Sequence, residues 1–179
     1  MISSFSAQPK AQNNNAKIIM WVFFAIAAVA AVLYVLLGVY RGVVGAVAVA
    51  SITTAILMYT KYVSVKFFYD IIAEEGETPL FVVRQRVGKR DTTLCRVELA
   101  DIISITKETS AERKAHKREK TTPLYVYAPT IAPPISYRMT VRNSYERSEI
   151  VLEGSDEFFN MLSACAVEAR TLRHEEDDE

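Results

Sequence analysis

The feature that most constrains this chain is a long apolar region near its N-terminus that carries no acidic residue. No Asp or Glu precedes Asp70, and the charged residues before it are Lys10, Lys17, Arg41, Lys61 and Lys66. Residues 18–39 and 43 to about 60 contain no Asp, Glu, Lys, Arg or His. The interior of a bilayer offers the backbone no hydrogen-bond partners, so apolar runs of this length must cross it as helices. The sequence therefore predicts two membrane spans.

We predict a helical hairpin over residues 18–65, with spans at about 18–40 and 43–63 and a turn at Arg41 and Gly42. Gly42 suits the left-handed conformation that ends many helices. A cleaved signal peptide is disfavoured because the first apolar run is longer than a signal core. Neither span carries a charged residue, so the hairpin is expected to be an anchor that contacts membrane lipids rather than a transport path.

Basic residues set the predicted orientation of this hairpin. Lys10 and Lys17 precede the first span, Lys61 and Lys66 follow the second, and Arg41 alone lies in the turn. Because Lys and Arg are enriched in cytoplasmic loops, both termini and the soluble region are predicted to lie in the cytoplasm, at the plasma membrane. Residues 1–17 are predicted to be a disordered cytoplasmic segment.

After Lys66 the apolar residues alternate with polar ones, as in β-strands. Seven strands are predicted, at about residues 67–72, 80–87, 92–98, 102–106, 124–127, 137–141 and 149–153. Short strands at this spacing are typical of a small antiparallel barrel or sandwich. The period becomes helical over residues 156–172, with Ser155 as the N-cap, and residues 174–179 form an acidic tail.

Three stretches carry a resemblance to a known family. They are residues 69–72 with the acidic, glycine-containing turn that follows, residues 94–105, and the helix at 156–172. In these stretches the chain resembles bacterial pleckstrin-homology-like (PH-like) domains that follow a two-span hairpin. The resemblance implies an α+β membrane protein in which residues 66–173 fold as a seven-strand antiparallel barrel, plugged at one end by the C-terminal helix.

The first candidate binding residues follow from this resemblance. Many PH domains bind inositol phosphates through a basic loop after the first strand and through cations on the second strand. Arg84 and Arg86 match the strand part of that site, whereas the loop around residues 74–77 is acidic here. Carboxylates in that loop would repel a phosphate, so Arg84 and Arg86 are also interpreted as residues on an exposed strand face.

The second group of candidates lies in the polar segment at residues 107–120, which is predicted to be a solvated loop. Its basic residues are Lys107, Arg113, Lys114, Lys117, Arg118 and Lys120. Near a membrane surface each cation adds about 1 kcal/mol of attraction to anionic lipid, which interspersed glutamates reduce. Aromatic residues do not interleave with these cations, so nucleic acid is not expected as a partner. The segment is a candidate for contact with lipid or with a partner.

The sequence contains no motif for catalysis or for a cofactor. It has no Gly-x-Ser-x-Gly elbow, phosphate-binding glycine loop, paired-histidine helix or Cys-x-x-Cys, and Cys95 and Cys165 show no metal-ligand spacing. We therefore expect no catalytic residue, cofactor or metal site. The sequence favours a non-enzymatic scaffold that binds protein partners at the inner membrane surface. The alternative is a sensor of anionic lipid that uses residues 107–120; the partner's identity and homo-oligomerisation stay open.

Overall fold

The structure, a computed structural model, describes residues 4–36, 40–73, 78–115, 122–142 and 146–177. The chain forms two compact units. The helical unit contains Asn13–Val65, and the β-rich unit contains Met1–Gln12 together with Lys66–Glu179. In sequence, the helical unit is therefore inserted between two parts of the β-rich unit.

The helical unit contains both predicted membrane helices. Helix α1 spans Asn15–Leu36, and helix α2 spans Arg41–Met58 and continues as a π-helical segment, Tyr59–Val63. Both helices are long and apolar enough to cross a membrane. Arg41 and Gly42 are the first residues of α2, so the turn predicted at these two positions is wrong. A glycine costs only about 1 kcal/mol within a helix, which is too little to end an apolar one.

Small residues let α1 and α2 pack closely. Ala30 of α1 and Ala55 of α2 are buried within the helical unit. A side chain at Gly45 would meet the ring of Tyr34 at 3.4 Å. Small residues favour helix association in this way because packing drives it where the solvent is itself apolar.

Sheet A of the β-rich unit has four strands in the order β1-β2-β3-β4. These are β1 Phe5–Ala7, β2 Val65–Ile72, β3 Leu80–Val87 and β4 Arg90–Glu98. Strands β3 and β4 form an antiparallel hairpin with a two-residue turn, in which Gly88 has a φ of 61° and Lys89 a negative φ. Only glycine adopts this conformation without strain at the first turn position, and the pattern corresponds to a type II′ turn.

Residues 5–7 form a strand in the structure, in contrast to the predicted disorder over residues 1–17. Strand β1 pairs antiparallel with β2, and Ala7 lies opposite Tyr69. Phe5 packs against Phe158, with ring centroids 6.1 Å apart. Residues 4–12 are called the N-terminal strap below. Strand pairing of this kind uses backbone groups and leaves no apolar period in so short a segment, which explains the incorrect prediction.

Sheet B has its strands in the order β5-β7-β8-β6. They are β5 Ile102–Thr109, β6 Leu124–Tyr127, β7 Ile135–Arg142 and β8 Arg147–Leu152. Strand β6 runs parallel to β8, so the prediction of a wholly antiparallel fold is wrong at this pair. The cause is that β8 inserts between β6 and β7. In the described part of the chain no strand pair joins sheet A to sheet B, and a closed barrel is not shown.

The helices of the β-rich unit are α3 Ser110–Ala115 and α4 Asp156–Asp177. As predicted, Ser155 caps α4, and its Oγ accepts a hydrogen bond of 3.3 Å from the Phe158 N–H. The ring of Phe158 lies 6.0 Å from that of Tyr69 in sheet A, and Phe159 stacks at 3.8 Å on Tyr137 of sheet B. Helix α4 therefore joins the two sheets into one apolar core.

Candidate binding surfaces

The two candidate cations of β3 are held in ion pairs. Arg84 donates to the Asp70 carboxylate, and Arg86 donates hydrogen bonds of 2.5 and 2.7 Å to Asp91. These hydrogen bonds raise the pKa of both guanidinium groups, and Arg86 lowers the pKa of Asp91. Both guanidinium groups also lie near the ring of Phe68, 5.9 and 4.8 Å from its centroid. Arg84 and Arg86 thus share one face of sheet A, but each is paired with a carboxylate.

A shallow groove of about 590 Å³ lies on this face of sheet A. It is lined by residues that include Ser6, Asp70, Arg84 and Arg96. Asp70 is only 5 % exposed, and besides the ion pair it accepts a hydrogen bond of 2.5 Å from Ser6 Oγ. A buried carboxylate within the groove disfavours an anion there. The groove is therefore poorly suited to the inositol phosphate that the family resemblance implies.

The basic segment at residues 107–120, predicted to be a loop, begins as part of a strand in the structure. Strand β5 continues to Thr109, so Lys107 belongs to sheet B rather than to a loop. Its Nζ donates two hydrogen bonds of 2.8 Å to Asp156 at the start of α4, and Asp156 also accepts a hydrogen bond from Tyr137. Lys107 therefore connects sheet B to α4, a role that differs from the predicted surface contact.

Helix α3 occupies the next part of the predicted loop. Glu112 caps it by accepting hydrogen bonds from the N–H (2.7 Å) and hydroxyl (2.9 Å) of Thr109, which lower the pKa of the carboxyl. Arg113 donates to the Pro133 carbonyl at 2.6 Å, whereas Lys114 is exposed. The other candidate residues, Lys117, Arg118 and Lys120, lie outside the described residues.

A buried carboxylate lies where the strap, sheet B and the 128–134 connection meet. Glu153 is fully buried, and it accepts hydrogen bonds from Thr130 N–H at 3.0 Å and Thr130 Oγ1 at 2.7 Å. It also accepts a bond of 2.9 Å from Gln12 N–H. The Gln12 side chain donates to Ile135 O at 2.9 Å and accepts from Ile135 N–H at 3.2 Å. Glu153 and Gln12 therefore attach the strap to sheet B.

Tyr69 connects this network to the core of sheet A. Its buried hydroxyl donates to Tyr127 O at 2.5 Å and accepts a hydrogen bond of 3.3 Å from Glu153 N–H. Burial raises the pKa of Tyr69 well above its ordinary value. A raised pKa means that folding favours the neutral hydroxyl, so its contribution to stability is complete below about pH 10 and is lost as the pH rises further.

A second groove, of about 460 Å³, lies between the edge strands β4 and β6. This β4–β6 groove is lined by residues that include Cys95, Val97, Tyr125, Tyr127 and Ile150. Tyr125 stacks on Tyr127, with ring centroids 6.3 Å apart. Cys95 is a free thiol whose pKa is raised by burial, which makes it a poor nucleophile at neutral pH. The groove has both apolar and polar lining residues, the latter including Arg96 and Glu98, and it lies between two sheet edges.

In the residues that the structure describes, His, Cys, Asp and Glu form no cluster able to hold a metal ion. The buried role of Glu153 was not predicted from the sequence, in which this residue ends a predicted strand. The three apolar residues before Glu153 mark a strand but do not reveal a buried carboxylate, because its donors come from residues 12 and 130, distant in sequence.

No protein-family model, curated protein or solved structure matches this chain. Its function therefore has to be argued from its own residues and geometry.

Proposed function

We propose that this chain is a membrane-anchored, non-enzymatic binding module. In this proposal α1 and α2 form a two-span hairpin in the plasma membrane, and the β-rich unit is a PH-like domain that binds protein partners at the cytoplasmic face. The succession of β2 to β8 followed by α4 supports the PH-like assignment, since seven strands and a terminal helix are the elements of that family.

The observation that carries the proposal is that the two helices lie between two paired strands. Strand β1 precedes α1 and β2 follows α2, yet Ala7 lies opposite Tyr69 in sheet A. Residues paired in one sheet lie on the same side of a membrane. The chain between them must therefore cross an even number of times, which two spans satisfy and one does not. The basic residues that flank the hairpin favour the cytoplasmic side.

The β4–β6 groove supports a protein partner. Strands β4 and β6 end their sheets, so each has an edge available for backbone hydrogen bonds. Tyr125 and Val126 are exposed on β6. Extended peptide segments bind to sheet edges of this kind through main-chain hydrogen bonds, while apolar pockets select their side chains.

Cysteine labelling tests both the topology and the partner. Cys95 and Cys165 are replaced by serine, and one cysteine is introduced at a time. An impermeant maleimide should label the Arg41→Cys chain in intact cells, because Arg41 begins α2 at the outer turn. It should label the Tyr125→Cys chain only in inverted membrane vesicles. Labelling of the second variant in intact cells would overturn the orientation, and labelling of both on one side would overturn the hairpin.

The same variants report whether a partner covers the groove. In inverted vesicles the Tyr125→Cys chain should react several-fold more slowly than the purified chain in detergent. The matched control is Glu157→Cys, at an exposed position in the first turn of α4, which should react at the same rate in both preparations. Equal rates for the Tyr125→Cys chain in vesicles and in detergent would contradict a partner at the groove.

A second candidate function, the sensing of anionic lipid, is favoured by the position of α3. Arg113 binds Pro133, and Ser110 N–H donates to Pro134 O at 3.0 Å, next to Ile135, the residue that holds Gln12. Gln12 precedes α1 closely in sequence, so α3 lies near the point where the chain leaves for the membrane. A Lys114→Trp probe in a Trp21→Phe chain should be quenched by brominated anionic lipid at low salt. Equal emission with brominated zwitterionic lipid would argue against this function.

A further inference from the structure

The turn of the β3–β4 hairpin lies at the end of sheet A where the chain arrives from α2. Arg84 pairs with Asp70, and Arg86 lies over Phe68. Moving two residues toward the C-terminus of β3 therefore corresponds to moving two residues toward the N-terminus of β2. When this correspondence is continued along both strands, residues 87, 88 and 89 lie beside residues 67, 66 and 65. Val65, the first residue of β2, is separated from the π-helical segment by one residue.

The connections to the helices are short. From Tyr62 to Val65 the chain spans at most about 11 Å. Tyr59, Lys61 and Tyr62 are residue types that mark a membrane interface. If α2 crosses a membrane, the end of sheet A that carries the hairpin turn is therefore held close to its surface.

The turn has the composition of a membrane-contacting element. Val87 is 45 % exposed, although its apolar side chain would be expected to avoid water. Lys89 and Arg90 follow it, are exposed, and form no ion pair with any described residue. Arg86, by contrast, is paired with Asp91. An exposed valine beside two unpaired cations matches a surface that has apolar acyl chains beneath anionic phosphates.

We propose that residues 87–90 contact the anionic surface of the membrane that holds α1 and α2. Val87 enters the boundary between headgroups and acyl chains, and Lys89 and Arg90 bind lipid phosphates. The contact rests on the proposed membrane anchor. It orients the β-rich unit on the bilayer independently of α3 and leaves the β4–β6 groove free for a partner.

The test uses the single tryptophan of the chain, Trp21 in α1. The full-length protein is placed in anionic nanodiscs that contain brominated lipid, which quenches tryptophan at the depth of the bromine atoms. A Trp21→Phe chain carries the probe Val87→Trp. The matched control carries Ile72→Trp instead, at a position that is 37 % exposed at the other end of β2, about 23 Å from Val65 along the strand.

The Val87→Trp probe should be quenched roughly two-fold more than the Ile72→Trp probe. Adding Lys89→Glu and Arg90→Glu, or using zwitterionic lipid, should reduce this difference. Equal quenching of the two probes would overturn the contact, and an unchanged difference after charge reversal would overturn the role of the cations. Quenching of Trp21 in the unaltered chain distinguishes a failure of the contact from a failure of the membrane anchor. If Trp21 is quenched while the Val87→Trp probe is not, the anchor stands and the contact fails; if Trp21 is not quenched, both fail.

Discussion

Replacing Glu153 with methionine is expected to lower the free energy of unfolding of the β-rich unit by about 3 to 5 kcal/mol. Methionine has nearly the same shape but accepts no strong hydrogen bond. The N–H and hydroxyl of the buried Thr130 would lose their acceptor, and the Gln12 N–H would keep only Thr130 Oγ1. Each buried donor left without a partner costs about 1 kcal/mol or more. Urea unfolding of the protein in mild detergent, followed by circular dichroism, measures the change.

The control for this prediction is Glu157→Met in the first turn of α4. Glu157 is exposed, so the same substitution there should change stability by no more than about 0.5 kcal/mol. Hydrogen exchange should locate the effect of Glu153→Met in the strap and in the 128–134 connection, because these are the segments that Glu153 holds. Equal stability of the two variants would show that the carboxylate does not hold the strap.

A loss of similar size is expected when Arg138 is replaced with methionine. Arg138 lies in the middle of β7, where it donates hydrogen bonds of 2.7 and 2.9 Å to Glu108 and one of 2.5 Å to Glu149. The hydrogen bonds that Arg138 donates to Glu108 are the main reason that the pKa of Arg138 is raised. Arg138 and Glu108 are both buried. Removing the guanidinium group takes away the cation that the Glu108 and Glu149 carboxylates share, and breaking a buried ion pair costs about 3 to 5 kcal/mol.

Arg142 provides the control on the same strand. It is exposed at the end of β7, and Arg142→Met should leave urea unfolding nearly unchanged. Adding Glu108→Gln to Arg138→Met should recover part of the stability, because it removes the charge that Arg138 had compensated. If the double variant is as unstable as the sum of the two single variants, the ion pair is not the source of the effect.

The elements that the sequence predicted well are those marked by signals within their own sequence. Strand β3 has the predicted bounds, and α4 begins directly after the predicted cap, Ser155. Burial of one face of an element leaves a period in the sequence, so such elements can be predicted without knowledge of their neighbours. The parallel pairing of β6 with β8 leaves no such mark, because it depends on which strand the chain places between them.

The candidate site was predictable only in part, for a related reason. The sequence placed Arg84 and Arg86 on one face of a strand, which the structure confirms. Their neutralisation by Asp70 and Asp91 depends on strand register, and register is set by the whole sheet. Ion pairs across strands therefore decide how much charge a basic surface retains, although each cation is visible in the sequence.

The pairing of β1 with β2 also limits when the N-terminal strap can fold during synthesis. The ribosome synthesises β1 first, but its partner strand appears only after both apolar helices have been completed. Until then β1 has no partner strand, and sheet A lacks this edge strand. Completion of the β-rich unit is therefore coupled to the synthesis of the hairpin. If α1 and α2 cross a membrane, a chain in which only one of them inserted would leave β1 and β2 on opposite sides of the bilayer, with an open strand edge that quality-control proteases and chaperones recognise.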